Sequence, residues 1–392
     1  MAHWWMYLLT ALLPVAAASG WYMARRTPSP RGMREADGIR SDYFRGINYL
    51  LNEQPDKAIE VFIRVLEVDS ETVETHLALG NLYRRRGEVD RAIRIHQNLI
   101  ARPTLDVRQR NEALLELAQD YMSAGLLDRA ENLFQELCET ESFRTQALSQ
   151  MLDIYEQESD WDKAIDTARK LGKVIGQDQA GVIAHYHCEK AELASRHGDI
   201  STAMAAIRLA TDIDPDCVRA SLLQARMHVD SGSYADALTA FRCVENQDTN
   251  FLPEIIEELS ECYRQLDKTV ELEPYLQRLT EEHDVVSATL NLAELKRDKE
   301  GAAAAARFVG EELRARPSVR GLDYVLRLVL QSSDPVRIEL ETIQALTEKL
   351  IEHRVEYKCG HCGFPAKSLH WKCPACKHWS TIKPMQGVAG ER

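Results

Sequence analysis

A repeat with a period close to 34 residues is the feature of this sequence that most restricts the fold. Gly46 and Gly80 are 34 residues apart, and each is followed three residues later by a tyrosine and twelve residues later by an alanine. This alanine recurs along the chain at spacings of 34, 38, 34, 39 and 34 residues, as Ala58, Ala92, Ala130, Ala164, Ala203 and Ala237. A period of this length indicates repeated helix pairs.

Small residues at fixed positions allow two helices to approach closely, and large apolar residues at i, i+3 and i+4 fill the seam between them. A single helix pair cannot bury its own apolar face, so successive pairs stack into a superhelix with a concave groove. We therefore predict an all-α fold. Such a groove offers binding area but no catalytic cleft of its own.

The repeat resembles the tetratricopeptide repeat, with a small residue at position 8, an aromatic at 11, alanine at 20 and an apolar residue at 24. The resemblance implies about eight repeats over residues 39–317, of which the later ones are degenerate. A last helical pair is expected over 318–353. Pro215 and Pro317 fall near position 32, where proline ends the second helix of a repeat.

The N-terminal segment predicts a membrane anchor. Residues 4–24 read WWMYLLTALLPVAAASGWYMA and carry no charge, and their length as a helix spans roughly 30 Å of hydrocarbon. Arg25 and Arg26 follow directly, so the positive-inside rule places the N-terminus in the periplasm and the remaining chain in the cytoplasm. We predict a transmembrane helix over 1–24 and a linker over 25–38. A cleaved signal peptide is the alternative, although it lacks a basic n-region.

The C-terminal tail predicts a metal site. It reads YKCGHCGFPAKSLHWKCPACKHWSTIKP and contains two C-x-x-C pairs separated by ten residues. The candidate ligands are Cys359, Cys362, Cys373 and Cys376. Four thiolates suit one Zn²⁺ or one iron ion, and they leave no open position for a substrate, which favours a structural role. A pair of redox-active dithiols is the alternative.

The two knuckles resemble those of rubredoxins, with a shorter loop between them, which implies a small rubredoxin-like domain over 354–385. Gly360 and Gly363 are expected to relieve backbone strain in the first knuckle. We expect Phe364, Trp371 and Trp379 to pack on this domain and against the last repeats. His361 and His370 are nearby and could replace a cysteine ligand.

The charge distribution is uneven. The formal net charge is −13, which argues against nucleic-acid binding. Residues 351–392 nevertheless contain seven Lys or Arg against three acids, a net charge of +4, which leaves −17 for the rest. The basic tail could dock on the acidic body, lie near anionic lipid, or simply be solvated.

No sequence motif for catalysis is present: there is no phosphate-binding loop, nucleophile elbow or H-E-x-x-H pair. We therefore predict that the protein is not an enzyme. His185 and His187 are two residues apart on a helix and point apart rather than converge. The acidic run 254–261 is expected to be a solvated helix face. The remaining cysteines are expected to act as small apolar residues: Cys138, Cys188, Cys217, Cys243 and Cys262.

The combination of an anchor ending in LLPVAAASGWYMARR, a repeat body with GNLYRRRGEVDRAIRIHQNLI and a tail ending in CPACKHWSTIKP resembles the lipopolysaccharide assembly protein B family. That resemblance implies a non-enzymatic adaptor at the cytoplasmic face of the bacterial inner membrane. Its partners would be the lipid A pathway deacetylase, the membrane protease FtsH and a membrane-embedded regulator of lipopolysaccharide synthesis. The family needs its metal knuckles for function, and these correspond to the four tail cysteines.

Two other functions remain open. One is a scaffold that coordinates lipopolysaccharide synthesis and export enzymes without directing proteolysis. The other is a rubredoxin-like electron-transfer protein. The sequence leaves the metal as zinc or iron, and it also leaves open a homo-oligomer, the groove residues that bind a client, and a redox- or metal-sensing role for the site.

Overall fold

A computed structural model describes residues 17–19, 21–22, 42–52, 54–68, 72–330, 337–352, 355–385, 387–388 and 390. Most of the predicted anchor (1–24) and all of the predicted linker (25–38) lie outside these residues. Within the described part, no helix combines the length and apolar character needed to cross a bilayer. The chain divides into two compact units, Met1–Ile154 and Tyr155–Arg392.

The first unit consists of helix pairs. Residues 42–51 are helical and precede the first bounded helix. The helices are α1 (Pro55–Val68), α2 (Val73–Arg85), α3 (Val89–Ile100), α4 (Val107–Ser123), α5 (Leu127–Cys138) and α6 (Glu141–Glu158), whose last turn belongs to the second unit.

The second unit continues the same alternation of helices. They are α7 (Trp161–Ile175), α8 (Ala180–Arg196), α9 (Ile200–Ile213), α10 (Val218–Asp230), α11 (Tyr234–Gln247), α12 (Leu252–Gln265), α13 (Thr269–His283), α14 (Val286–Glu300), α15 (Ala302–Ala315), α16 (Val319–Leu330) and α17 (Arg337–Glu352). A short 3₁₀ turn, Thr249–Phe251, precedes α12. Helices α9 and α15 end two residues before Pro215 and Pro317, as the proline positions predict.

The repeated alanines are fully buried. All six have no exposed surface: Ala58, Ala92, Ala130, Ala164, Ala203 and Ala237. In the first four of these repeats a lysine or arginine precedes the alanine and lies over the ring of the position-11 tyrosine, 5.0–5.8 Å from its centroid. The repeat therefore conserves a buried contact and a cation–π contact in the same register.

One repeat of the first unit replaces the apolar residue at position 24 with a buried histidine. His96 is fully buried, and its Nδ1 lies 2.5 Å from Oδ2 of the equally buried Asp120. Arg84 donates to Oδ1 of the same carboxylate at 2.7 Å. Gly80 leaves room for the imidazole, since a Cβ at that position would lie 2.3 Å from His96 Nε2. The charge of Asp120 is therefore paired within the helix seam.

The C-terminal tail forms a three-stranded antiparallel sheet with the order β2-β1-β3. The strands are β1 (Tyr357–Cys359), β2 (Pro365–Ala366) and β3 (Ile382–Pro384). Each strand has at most three residues, so the sheet is too small to provide a core of its own. Its interior consists mainly of Cys359, Cys373 and Ile382. We refer to residues 355–385 as the ribbon.

Candidate metal centre and its contact surface on the repeats

The four tail cysteines meet at one point of the ribbon. Their sulfur atoms all lie within 4.8 Å of one another. Cys359 Sγ is 3.8 Å from Cys376 Sγ, and Cys362 Sγ is 3.7 Å from Cys373 Sγ. Each short distance joins one cysteine from each C-x-x-C pair, so the two knuckles face each other across a common centre.

The two knuckles have the same backbone geometry. In the first, the Gly363 amide donates to the Cys359 carbonyl at 3.0 Å, and Gly363 has a φ of 77°. In the second, the Lys377 amide donates to the Cys373 carbonyl at 2.9 Å, and Lys377 has a φ of 61°. The left-handed residue is therefore a glycine in one knuckle and a strained lysine in the other. Gly360, which we expected to relieve strain as well, does not have a positive φ.

The two thiols of the first knuckle have pKa values shifted in opposite directions. Burial opposes ionisation of Cys359, but the thiolate accepts hydrogen bonds from the Thr381 hydroxyl and from the amides of Cys362 and His361, and these outweigh burial and lower the pKa of this thiol to about 5. At Cys362 a backbone hydrogen bond from Phe364 is outweighed by burial and the neighbouring thiols, and the pKa rises to about 12. Cys359 is therefore ready to bind a cation as a thiolate, whereas Cys362 would lose its proton only when a cation binds and offsets the crowding of negative sulfurs.

The sulfur positions fit a tetrahedral ion. Metal–sulfur bonds of about 2.3 Å place the sulfurs of a tetrahedron about 3.8 Å apart, which agrees with the distances of 3.8 Å between Cys359 and Cys376 and 3.7 Å between Cys362 and Cys373. Zinc and a single iron ion both fit this donor set. The ribbon thus provides one tetrathiolate metal site, which uses all four thiolates and leaves no position open for a substrate.

Two tryptophans of the ribbon pack on the repeats of the second unit. Trp371 stacks on Phe251 with ring centroids 5.5 Å apart, and Trp379 stacks on His185 at 4.8 Å. Trp379 also meets the Tyr186 ring edge-on at 5.8 Å. The expectation that these tryptophans pack on the last repeats is wrong, because their partners lie on α8 and just before α12, in the middle of the array. Phe364 packs inside the ribbon.

Glu156 is the acceptor on which several of these contacts converge. It receives hydrogen bonds from Tyr186 Oη at 2.8 Å and from Trp379 Nε1 at 3.3 Å, and it forms an ion pair with Lys372. Its side chain is 12% exposed and that of Lys372 is 26% exposed. The pair is therefore shielded from solvent, and the charge-assisted bonds are correspondingly strong.

His185 and Arg219 form the buried centre of the same surface. His185 Nε2 lies 2.6 Å from Ser380 Oγ, and burial followed by the nearby Arg219 charge lowers the pKa of this histidine to about 3. Arg219 is 3% exposed, is paired with Glu189 and Glu192, and lies 6.0 Å from the Trp371 ring centroid. His185 is therefore neutral at physiological pH, and it shares one hydrogen bond with Ser380 of the ribbon.

Two further polar contacts extend the surface. Tyr357 Oη donates to Glu254 at 2.7 Å, and Lys383 pairs with Asp248 at 2.8 Å. Glu254 is the first residue of the acidic run 254–261, and it is bound to the ribbon. The expectation that this run forms a solvated helix face is therefore wrong at Glu254. The basic tail does dock on acidic residues of the body, which was one of the open alternatives.

The contacts follow the repeat architecture. Four of the contacting residues lie on the first helices of four successive pairs: Glu156 on α6, His185 on α8, Arg219 on α10 and Glu254 on α12. Asp248 and Phe251 lie between α11 and α12. First helices share one side of an array of this kind, the side that offers extended binding surface. The ribbon is thus an intramolecular occupant of that side in the second unit.

Sequence reasoning identified the cysteines but missed the residues that receive the ribbon. His185 and Arg219 are isolated in the sequence and carry no motif. Of the scattered cysteines, Cys188, Cys217 and Cys262 are buried as expected, whereas Cys243 is exposed.

Comparison with known proteins agrees with this architecture. Residues 357–384 match a family model described as a rubredoxin metal binding domain, and residues 75–110 and 188–246 match tetratricopeptide repeat models. The chain is therefore a tetratricopeptide-repeat protein with a C-terminal rubredoxin-type metal ribbon. This confirms the repeats and the metal domain of the predicted fold, whereas the transmembrane helix over 1–24 stays a prediction.

The relatives define the family more narrowly. Lipopolysaccharide assembly protein B of Escherichia coli K12 is 41% identical over 98% of this chain and 99% of its own length. The protein of the same name from Haemophilus influenzae Rd is 34% identical over 96% and 98%. A crystal structure of MamA protein aligns with 46% of this chain and 94% of its own at 18% identity and a TM-score of 0.36. The chain belongs to the lipopolysaccharide assembly protein B family.

Proposed function

We propose that this protein is a non-enzymatic adaptor of the bacterial inner membrane that restrains lipopolysaccharide synthesis by presenting the lipid A pathway deacetylase to the membrane protease FtsH. Full-length similarity to relatives named lipopolysaccharide assembly protein B supports a role in this pathway. The family resemblance implies three partners: the deacetylase, the protease and a membrane-embedded regulator. The tetratricopeptide fold favours protein binding over catalysis.

The observation that carries the proposal is the position of the ribbon. It lies on the first-helix side of α6, α8, α10 and α12, where a repeat array binds its partners. Cys359, Cys362, Cys373 and Cys376 would hold one zinc or iron ion, which supplies the folding energy that a domain of this size lacks. The metal would thereby keep the ribbon in the shape that fits the repeats, and ribbon and repeats together would form the client surface.

The anchor completes the mechanism. Confining the adaptor to a membrane raises its effective concentration near a membrane protease without adding any contact. In this proposal the N-terminus is periplasmic and the body cytoplasmic. The proposed division of the chain is a transmembrane helix at 1–24, a linker at 25–38, repeats at 39–317, a helical pair at 318–353 and the metal domain at 354–385.

Charge reversal at the ribbon surface tests the proposal. Glu156→Lys places two cations together and should release the ribbon, and Glu156→Lys with Lys372→Glu should restore the pair with opposite polarity. The readout is the half-life of the deacetylase in cells that carry each variant as the sole copy. We expect a longer half-life for the single variant and a partial recovery in the double, because a lysine at position 156 restores the ion pair but cannot accept the hydrogen bonds of Tyr186 and Trp379. An unchanged half-life in the single variant, with the ribbon released, would show that docking is not needed.

Removal of residues 1–24 tests the anchor separately. The freely soluble form should still bind the deacetylase yet fail to promote its turnover. Normal turnover with this form would defeat the role of the membrane.

A scaffold for synthesis and export enzymes is the second candidate, favoured by the same binding surface. Depletion of the protein distinguishes the two functions, because only the adaptor function predicts that the deacetylase half-life becomes longer. A rubredoxin-like electron carrier is the third candidate, supported by the tetrathiolate donor set alone. It predicts a red protein that contains iron, and a colourless zinc protein would exclude it.

A further inference from the structure

Two exposed histidines lie side by side next to the tetrathiolate centre. His361 lies between the two cysteines of the first knuckle, and His378 comes two residues after Cys376 of the second. Their rings are stacked, with centroids 4.0 Å apart and planes inclined by 24°. Folding of the two knuckles around one centre therefore also brings two imidazoles together.

A thiolate completes the group. One ring nitrogen of His361, one of His378 and Sγ of Cys376 all lie within 4.8 Å of one another. Two imidazoles and a thiolate are donors that zinc and related divalent ions prefer. Both histidines are exposed and Cys376 is partly so, which leaves the group open to an ion arriving from solvent.

The hydrogen bonding of His378 favours a ligand role. Its Nδ1 donates to the Cys376 carbonyl at 2.8 Å, which leaves the lone pair on Nε2. Metal-binding histidines are commonly oriented in this way by a backbone carbonyl on the other ring nitrogen. The imidazole is thus held in a tautomer that can bind a cation.

The negative charge of the neighbouring tetrathiolate centre also favours binding of a second cation. Four thiolates around one divalent ion carry a net charge of −2, and a bound thiolate keeps lone pairs that can bridge to another ion. A cation beside Cys376 would therefore meet a negative cluster. Three protein ligands leave a fourth position open, which is the arrangement of an exchangeable rather than a structural site.

We propose that His361, His378 and Cys376 form a second, exchangeable site for a divalent transition-metal ion of the zinc class, adjoining the tetrathiolate centre. The first ion is held by four sulfurs, whereas the second is held by two imidazoles and a bridging thiolate. Because this site lies open to solvent, it is the point where an ion enters or leaves the ribbon.

Another cluster of candidate ligands in the second unit does not offer the same chemistry. Glu245, Glu282 and His283 also bring donor atoms within 4.8 Å. Arg278 already pairs with Glu245 at 2.6 Å and with Glu282 at 2.9 Å, so a guanidinium neutralises these carboxylates. This cluster contains no sulfur, which makes it a useful internal comparison.

The test is a metal titration of the full chain already loaded with one zinc ion. Equilibrium dialysis against excess Zn²⁺, followed by elemental analysis, gives the number of ions per chain. We expect a second ion for the native protein and for His370→Ala, which removes an exposed ribbon histidine outside the group. The His361→Ala/His378→Ala variant should keep the first ion and lose the second.

Cobalt provides the second readout. Co²⁺ added to the zinc-loaded protein should produce a thiolate-to-cobalt charge-transfer band while zinc is retained, and the double variant should lack it. If the alanine variant loses the first ion as well, the test uses His361→Gln/His378→Gln instead, because glutamine is close to histidine in side-chain volume.

Three outcomes would overturn the proposal: one ion per chain in the native protein at saturating zinc, a second ion that persists in the double variant, or a second ion that is lost in His283→Ala instead.

Discussion

Lys372 of the ribbon forms an ion pair with Glu156, 216 residues earlier in the chain. The same carboxylate accepts a hydrogen bond from Trp379 of the ribbon and one from Tyr186 of α8. Glu156 thus receives three donors, two from the ribbon and one from the repeats. Such a residue couples the two parts, because loss of either part leaves its charge incompletely paired.

This coupling predicts a measurable interaction energy. In a double-mutant cycle with Glu156→Gln and Lys372→Met, followed by urea unfolding of the metal-loaded protein, we expect the pair to contribute about 1–3 kcal/mol, as a shielded charged hydrogen bond does. The matched control is Lys190 with Asp162, a pair at 2.6 Å with side chains 34% and 80% exposed. That pair should contribute less than about 1 kcal/mol. Equal coupling energies for the two cycles would contradict the interpretation.

His185 predicts a loss of stability in acid. Burial and the Arg219 charge lower the pKa of this histidine from its ordinary 6.5 to about 3. Because the unfolded chain binds the proton first, the contribution of neutral His185 is complete above pH 6.5 and declines as the pH falls toward the folded pKa. At about pH 5 the expected loss is about 2 kcal/mol.

Urea unfolding between neutral and mildly acidic pH measures this loss. His185→Phe should flatten the dependence in this range relative to the native protein. The control is His197→Gln, at an exposed histidine that caps α8, and it should leave the dependence unchanged. An identical slope for native protein and His185→Phe would show that this histidine does not titrate on unfolding.

Metal removal should release the ribbon from the repeats. Cys359→Ser deletes one thiolate and should reduce metal affinity enough to unfold the small sheet, whose interior consists mainly of cysteines and Ile382. Trp371 would then leave Phe251, and tryptophan emission should move to longer wavelength. The matched control is Cys243→Ser, at an exposed cysteine outside the ribbon, for which emission and metal content should stay unchanged. Native emission in a metal-free Cys359→Ser protein would mean that the ribbon docks without its ion.

The sequence predicts some levels of this structure better than others. The repeat period and the two C-x-x-C pairs are local patterns, since each specifies contacts between residues close in the chain. They correctly predict the buried alanines and the convergence of Cys359, Cys362, Cys373 and Cys376. The same local logic identifies Gly363 as a knuckle residue.

The surface that receives the ribbon has no local pattern. His185 and Glu156 lie on first helices of different repeats, and their partners are near residue 380. Nothing in the spacing of these residues indicates that pairing, because it depends on where the whole ribbon settles after it has folded. The left-handed conformation of Lys377 also has no local signal in the sequence. The second knuckle has the geometry of the first, but a lysine takes the place of Gly363.

That difference between the knuckles leads to a last prediction. Lys377 has a φ of 61° where Gly363 has 77°, and a left-handed conformation costs a residue with a Cβ about 1–2 kcal/mol. Lys377→Gly should therefore stabilise the metal-loaded ribbon by about 1 kcal/mol, whereas Gly363→Ala should destabilise it by a similar amount. Gly360→Ala is the control, because its φ is not positive and its added Cβ would meet only the Thr381 carbonyl at 3.7 Å.

The rate of metal transfer to a chelator reports these changes, because opening of a knuckle precedes loss of the ion. Transfer should be slower for Lys377→Gly, faster for Gly363→Ala and unchanged for Gly360→Ala. The Lys377 side chain is exposed, so a second control, Lys377→Ala, separates loss of charge from relief of strain: it removes the charge but keeps the Cβ. If Lys377→Ala slows transfer as much as Lys377→Gly, the effect arises from the lysine charge beside the thiolates and not from the backbone.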